Sequence, residues 1–237
     1  MRAEPDDPLR SGSSLSDPPG RVRLSRNELE ALCLKAARGA GMSWGHAEEA
    51  GFAAGWLSAH GLDGAAALLA VLAAGSGKPW RALCPVVTPG RWRPAGPGPL
   101  CPVALGAALL DHCELPEGRL DGGLTVGPVC RPLVVLPFLA ASAARTARPV
   151  GVDWGTGSLT LDGDGAISGD IEHLAALAEG TLVLSPGTAP PGRPAAQGTP
   201  GCGRETLARL DALAMRTTVP PSDRSRADAG GGTSDND

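Results

Sequence analysis

The chain has 237 residues, a formal net charge of −4, 42% hydrophobic and 19% charged residues, and an aromatic share of only 3% with no Tyr. That composition describes a globular protein whose core must be built from Ala, Leu and Val around five Trp, and it excludes collagen-like and disordered classes. It also carries no nucleic-acid footprint, because phosphate binding needs clustered cations, whereas Lys occurs only at 35 and 78 and Arg is interleaved with Asp and Glu.

Residues 1–22, rich in Pro, Ser and Asp, have no apolar stretch of the kind a secretory signal needs and read as a flexible extension. The longest apolar run, Ala65 to Ala74, is a core-helix length, well short of the roughly 20 residues that span a bilayer. The expected location is therefore the cytoplasm, with neither membrane nor nucleic acid as partner. Cys33, Cys84, Cys101, Cys113, Cys130 and Cys202 form no Cys-x-x-Cys pair and read as reduced thiols, mostly buried.

Ser25-Arg26-Asn27-Glu28 matches a capping box, so a helix starts here, with Leu29, Leu32, Cys33 and Ala36 on one apolar stripe. Lys35 and Arg38 sit in its last turn, where cations complement the dipole, and Gly39 is expected at the left-handed position that ends it. Ser43 caps a second helix to about Ala59, in which Ala47, Gly51 and Gly55 recur every four residues and let another helix approach closely. A third helix runs from about Asp63 to Ala74.

Beyond a Pro- and Gly-rich centre, Val103 to Cys113 reads as a helix, Leu133 to Leu136 as a buried strand, and Phe138 to Arg145 as a helix begun by Pro137. Val150 to Trp154 and Ser158 to Leu161 read as strands joined by a Gly155-Thr156-Gly157 turn, and Asp162-Gly163-Asp164-Gly165 as a further turn. Asp170 is placed to cap a short helix closed by Gly180, Thr181 to Leu184 is a strand candidate, Ser185 to Gly203 a long loop, and Glu205 to Met215 a last helix. The fold class is α+β, a helical N-terminal layer followed by a mixed strand and helix region. The alternative is α/β with a partly parallel sheet running through the segment from Leu133 to Trp154. Residues 23–218 are expected to form one globular domain and 219–237 a polar tail.

Several groupings invite chemistry. Gly39-x-Gly41-x-x-x-Gly45 follows a helix rather than a strand, so it is a helix-to-helix connection and not a dinucleotide fingerprint. Asp162-Gly-Asp164-Gly opens like a calcium loop but has Ala166 and His173 where ligands belong. Arg91-Trp92-Arg93 reads as an exposed loop with one anchored indole. Asp111-His112-Cys113 cannot relay protons among themselves, because neighbours on a helix point about 100° apart. The densest polar set is Lys35, Arg38, His46, Glu48 and Glu49, which a short connection gathers around one opening, an arrangement suited to anion binding or acid–base work.

Ser25-Arg-Asn-Glu28-Leu-Glu, Leu34-Lys-Ala-Ala-Arg-Gly-Ala-Gly41, Trp44-Gly-x-Ala-Glu-Glu49 and Gly98-Pro-Leu-Cys-Pro-Val103 together resemble a bacterial family, domain of unknown function 3726. The ending Arg216-Thr-Thr-Val-Pro-Pro-Ser222, Ser225-Arg226 and Asp235-Asn-Asp237 is similar to that family's ending, so the resemblance extends over most of the chain from Arg23 onward. It implies no activity, substrate or cofactor, but it implies that the tail docks on the body. The expectation is a protein that binds a partner protein or a small anionic ligand near the junction of the first two helices, through Lys35, Arg38, His46, Glu48 and Glu49, with Arg216, Ser225 and Arg226 closing over it. The alternative is an enzyme using a His46/Glu pair, or Cys101 or Cys113 as nucleophile. A homo-oligomer formed through the Gly51 and Gly55 face is a third reading. No metal or cofactor is identified.

Overall fold

The computed structural model describes residues 20–189 and 201–217. A short strand, β1 (Arg21–Arg23), leads into α1 (Arg26–Gly39). The capping box forms as expected: the Ser25 hydroxyl accepts from the Glu28 amide at 3.2 Å, and the Glu28 carboxylate accepts from the Ser25 amide at 2.7 Å. These bonds hold the Glu28 carboxyl below its usual range. Ser43 and Asp63 cap α2 (Trp44–Ala59) and α3 (Gly64–Gly75) with their side chains. A single turn, α4 (Trp80–Leu83), completes the helical layer.

There follow β2 (Pro85–Val86), β3 (Arg91–Pro94), α5 (Pro102–His112), β4 (Leu124–Cys130), α6 (Leu136–Thr146), β5 (Val150–Asp153), β6 (Ser158–Leu161), β7 (Ile167–Gly169), α7 (Ile171–Ala176), β8 (Glu179–Pro186), β9 (Gly201–Gly203) and α8 (Arg204–Ala214). Among the described residues, seven strands form one sheet in the order β2-β3-β4-β8-β5-β6-β7, while β1 pairs with β9 apart from it. Only the β3–β4 pairing is parallel, so the fold is α+β with a mixed sheet. No helix among the described residues is long and apolar enough to cross a membrane.

Four expectations are corrected. Leu133 to Leu136 is not a strand: Pro132–Val135 is a 3-10 turn that runs directly into α6. A run buried on every side is hydrophobic in either conformation, and Pro132 and Pro137 both occupy the first-turn positions where a missing N–H costs nothing. The buried strand is β4 instead, hidden in the sequence by Gly127-Pro128, where the register shifts between Val126 and Val129. Arg91 to Arg93 is strand and not loop; Trp92 is wholly buried, and its indole N–H donates to the Glu117 carbonyl at 3.1 Å. The left-handed residue after α1 is Gly41, with φ of 98°, not Gly39, which is the last residue of the helix. Finally, α7 has no side-chain cap from Asp170, and Gly180 lies in β8.

The small-residue face of α2 meets α1 of the same chain. A Cβ on Gly51 would stand 2.7 Å from the Glu30 carbonyl oxygen, so this buried face is not available for self-association. At the next crossing a Cβ on Gly64 would stand 2.1 Å from the Ala54 carbonyl oxygen. Arg21 and Val22, expected in the extension, pair with Gly203 and Cys202 through β1 and β9, which also bound the expected loop from Ser185. The polar tail lies outside the described residues.

Gly39 is pressed against α8, where an added Cβ would fall 1.8 Å from the Leu213 carbonyl oxygen, whereas Gly45, in the first turn of α2, has open space. Gly39→Ala should destabilise the protein by about 1–3 kcal/mol, as overpacking does. Gly45→Ala should be neutral or stabilising by up to about 1 kcal/mol. Urea titrations of the two variants check the contrast, and equal midpoints would contradict the close approach.

Candidate functional site

The turn between α1 and α2 is organised by Arg38. Its guanidinium donates to the Met42 carbonyl and lies 5.8 Å from the centre of the Trp44 ring. Trp44 is 62% exposed, and its indole N–H donates to the Glu48 carboxylate at 2.7 Å. The His46 ring shares a 2.7 Å hydrogen bond with the Ser43 hydroxyl and lies 4.5 Å from the Trp80 ring. The sequence-predicted residues Arg38, His46 and Glu48 are thus brought to one junction, but mainly to hold its backbone and indoles. Lys35 is exposed on α1. Arg216, just past α8, borders a shallow cleft walled by Ala40 and Leu72. Ser225 and Arg226 lie outside the described residues.

Glu49 sits half-buried on the face of α2 that packs against α5. Burial raises its carboxyl, and the carboxylates of Asp111 and Glu48 add to the shift. Burial likewise makes His46 a weaker base, against the pull of Asp111. At both residues desolvation outweighs neighbouring charge.

A cavity of about 160 Å³ opens directly beside this junction. Ala40, Gly41 and Met42 form one wall; Val71 and Leu72 of α3, Trp80, Leu83 and Leu100 supply apolar surface. Its polar side chains are Lys78, Cys101 and Cys130, of which the sequence singles out Cys101 alone, as a candidate nucleophile. Among the described residues the Lys78 ammonium has no ion-pair partner, and it lies 3.8 Å from where a Cβ on Gly98 would stand. Trp80 joins the two regions, since it lines the cavity and touches His46.

Cys101 is the residue before the first turn of α5, 5% exposed, and Cys130 ends β4, 8% exposed. Burial pushes the Cys101 thiol up to about 11, although the Ala104 and Val103 amides favour its ionised form. Burial raises Cys130 too, opposed by Arg131 and Lys78. Neither is thiolate at neutral pH in more than a trace. Cys33 and Cys202, buried beside one another under α1, are pushed up to about 12 and about 11, chiefly by burial. They fit the expectation of inert core thiols. Nothing in the sequence joins Cys130 to Cys101.

A larger cleft of about 300 Å³ carries Arg119, Arg145 and Arg148, but these are already engaged: Arg119 and Arg148 by Asp121 at 2.7 and 3.0 Å, Arg145 by Glu114 at 3.2 Å. Among the described residues no group of three or more His, Cys, Asp or Glu side chains is disposed to hold a metal ion.

Residues 24–96 match the family described as "Protein of unknown function (DUF3726)". The similarity covers the helical layer and the first two strands of the sheet, including Lys78 and Trp80, and stops short of Gly98 and Cys101. No curated protein and no solved structure matches the chain.

A carboxyl raised in the folded state favours folding in its protonated form, so Glu49 costs stability when ionised and that cost disappears as pH falls. Glu49→Gln should therefore raise the urea midpoint at pH 7.5, with the gain shrinking towards pH 4. An unchanged or lowered midpoint at pH 7.5 would contradict the burial argument.

Proposed function

We propose that the chain binds a small organic anion in the cavity beside the α1–α2 turn. The observation that carries this reading is Lys78, a cation without an ion-pair partner among the described residues, set in a cavity whose wall includes the apolar side chains of Val71, Leu72, Leu83 and Leu100. Apolar pockets with a few placed polar groups are the common form of a ligand site, the apolar wall supplying affinity and the polar group orientation. The positive end of α5, which starts at Pro102 in the cavity wall, adds to the preference for negative charge. At about 30 Å³ per water in the liquid, the cavity corresponds to about five waters, which suits a short carboxylate with an apolar body.

In this reading Arg38 and His46 are positioning residues. Arg38 fixes the Met42 carbonyl and with it the cavity wall, and His46 backs Trp80. Lys35, Glu48 and Glu49 do not line the cavity. Arg216 would then act on the neighbouring cleft rather than on the ligand directly.

Calorimetric titration with short carboxylates and with their uncharged amides tests the proposal. The carboxylates should bind and the amides should bind at least tenfold more weakly; Lys78→Gln should remove that difference while leaving the melting temperature within a few degrees. Equal binding of acid and amide, or a Lys78→Gln variant that still prefers the acid, would overturn it.

A further inference from the structure

Two thiols reach the same cavity from segments 29 residues apart, and the backbone places them side by side. Leu100 forms a parallel bridge with Val129: its amide donates to the Pro128 carbonyl at 2.8 Å, and its carbonyl accepts from the Cys130 amide at 3.0 Å. The next residue on each segment is a cysteine. Neighbouring strands lie about 4.8 Å apart, within the roughly 4.4–6.8 Å between Cα atoms that a disulfide spans. Residues in register on parallel segments point to the same side, and both cysteines line the cavity.

We propose that Cys101 and Cys130 are a thiol pair that exchanges with small organic disulfides entering this cavity and closes to an intrachain disulfide across its floor. Cys130 is the attacking thiol, because it is the less deeply buried of the two and lies beside Arg131 and Lys78, which favour its thiolate. Its sulfur bonds to one sulfur of the incoming disulfide, the disulfide bond breaks, and the released thiolate takes up the proton that Cys130 lost. Cys101 then attacks the Cys130 sulfur and expels the second small thiol, which takes the Cys101 proton. Two protein thiols are oxidised by two electrons, and one small disulfide is reduced to two thiols. The inference shares the cavity of the proposed anion site but does not need that site to be occupied.

Exchange is slow, because only the ionised fraction of a buried thiol attacks; the greater nucleophilicity of a weakly acidic thiol recovers part of that loss. The groups that bear on the pair are Lys78 and Arg131, which favour ionisation, and Glu179 and Cys84, which oppose it. The pair differs from Cys33 and Cys202, which line neither this cavity nor the cleft that carries Arg119, Arg145 and Arg148. Those two are the internal control.

The full chain, incubated with bis(2-hydroxyethyl) disulfide at pH 8.5, alkylated under denaturing conditions and digested, tests the pairing by mass spectrometry. The expected result is a linked peptide pair containing Cys101 and Cys130, with Cys33 and Cys202 alkylated. Cys101→Ser should stop at a mixed disulfide on Cys130, and Cys130→Ser should give no adduct on Cys101 over the same period. Full alkylation of Cys101 and Cys130 in the unmutated chain, or linkage of either to another cysteine, would overturn the proposal even if a variant fails to fold. Linkage without carboxylate binding would leave this inference standing and sink the anion reading; carboxylate binding without linkage would do the reverse.

Discussion

The structure depends on backbone meeting backbone. With an aromatic share of 3% and Ala as a main core component, the chain cannot fill the space between helices with large side chains, so the helices themselves must come close. Glycine sits at three such crossings: Gly51 against the Glu30 carbonyl, Gly64 against that of Ala54, Gly39 against that of Leu213. These contacts join α1, α2, α3 and α8. Dispersion at such crossings comes from backbone atoms, and it is lost if any one of them is spread by a methyl group.

That packing sets the position of the α1–α2 turn and, through it, the cavity. Arg38 ties down the Met42 carbonyl, Gly41 supplies the positive φ that reverses the chain, and the turn presents Ala40, Gly41 and Met42 as one wall. The opposite side is built by residues that come together only through the Leu100–Val129 bridge and the first turn of α5. Lys78 is carried in by the short link between α3 and α4. A cavity between four such pieces keeps its shape only while the helical layer stays closed against the sheet.

Burial decides the electrostatics of this region. Glu49 is raised, His46 is lowered, and the cavity thiols are raised, in each case with desolvation as the leading cause and nearby charge second. The junction is therefore less a cluster of free charges than a set of polar groups bound into structure. Lys78, which also lines the cavity, is by contrast exposed.

Local signals in the sequence determined the helical half. The Ser25 to Glu28 capping box, the Ser43 and Asp63 caps and the apolar stripe of α1 depend on interactions within four residues, and such interactions form in much the same way in any surroundings. The hairpin of β5 and β6 was legible for the same reason, through its Gly-Thr-Gly turn. Partners distant in sequence decided what local signals could not. Leu133 to Leu136 is hydrophobic because it is buried on all sides, which suits a strand or a helix equally, and only its neighbours chose the turn. β4 stayed hidden because Gly127-Pro128 interrupts the alternation that marks a strand, and pairing with β8 restores it around a shift in register. Lys35, Arg38, His46, Glu48 and Glu49 stand close together in the sequence, whereas Lys78, Cys101 and Cys130, which line the cavity, lie far apart and meet only when the sheet and α5 close over α3. Charge density along a chain marks where polar groups are; which of them face a common space is a property of the packed structure alone.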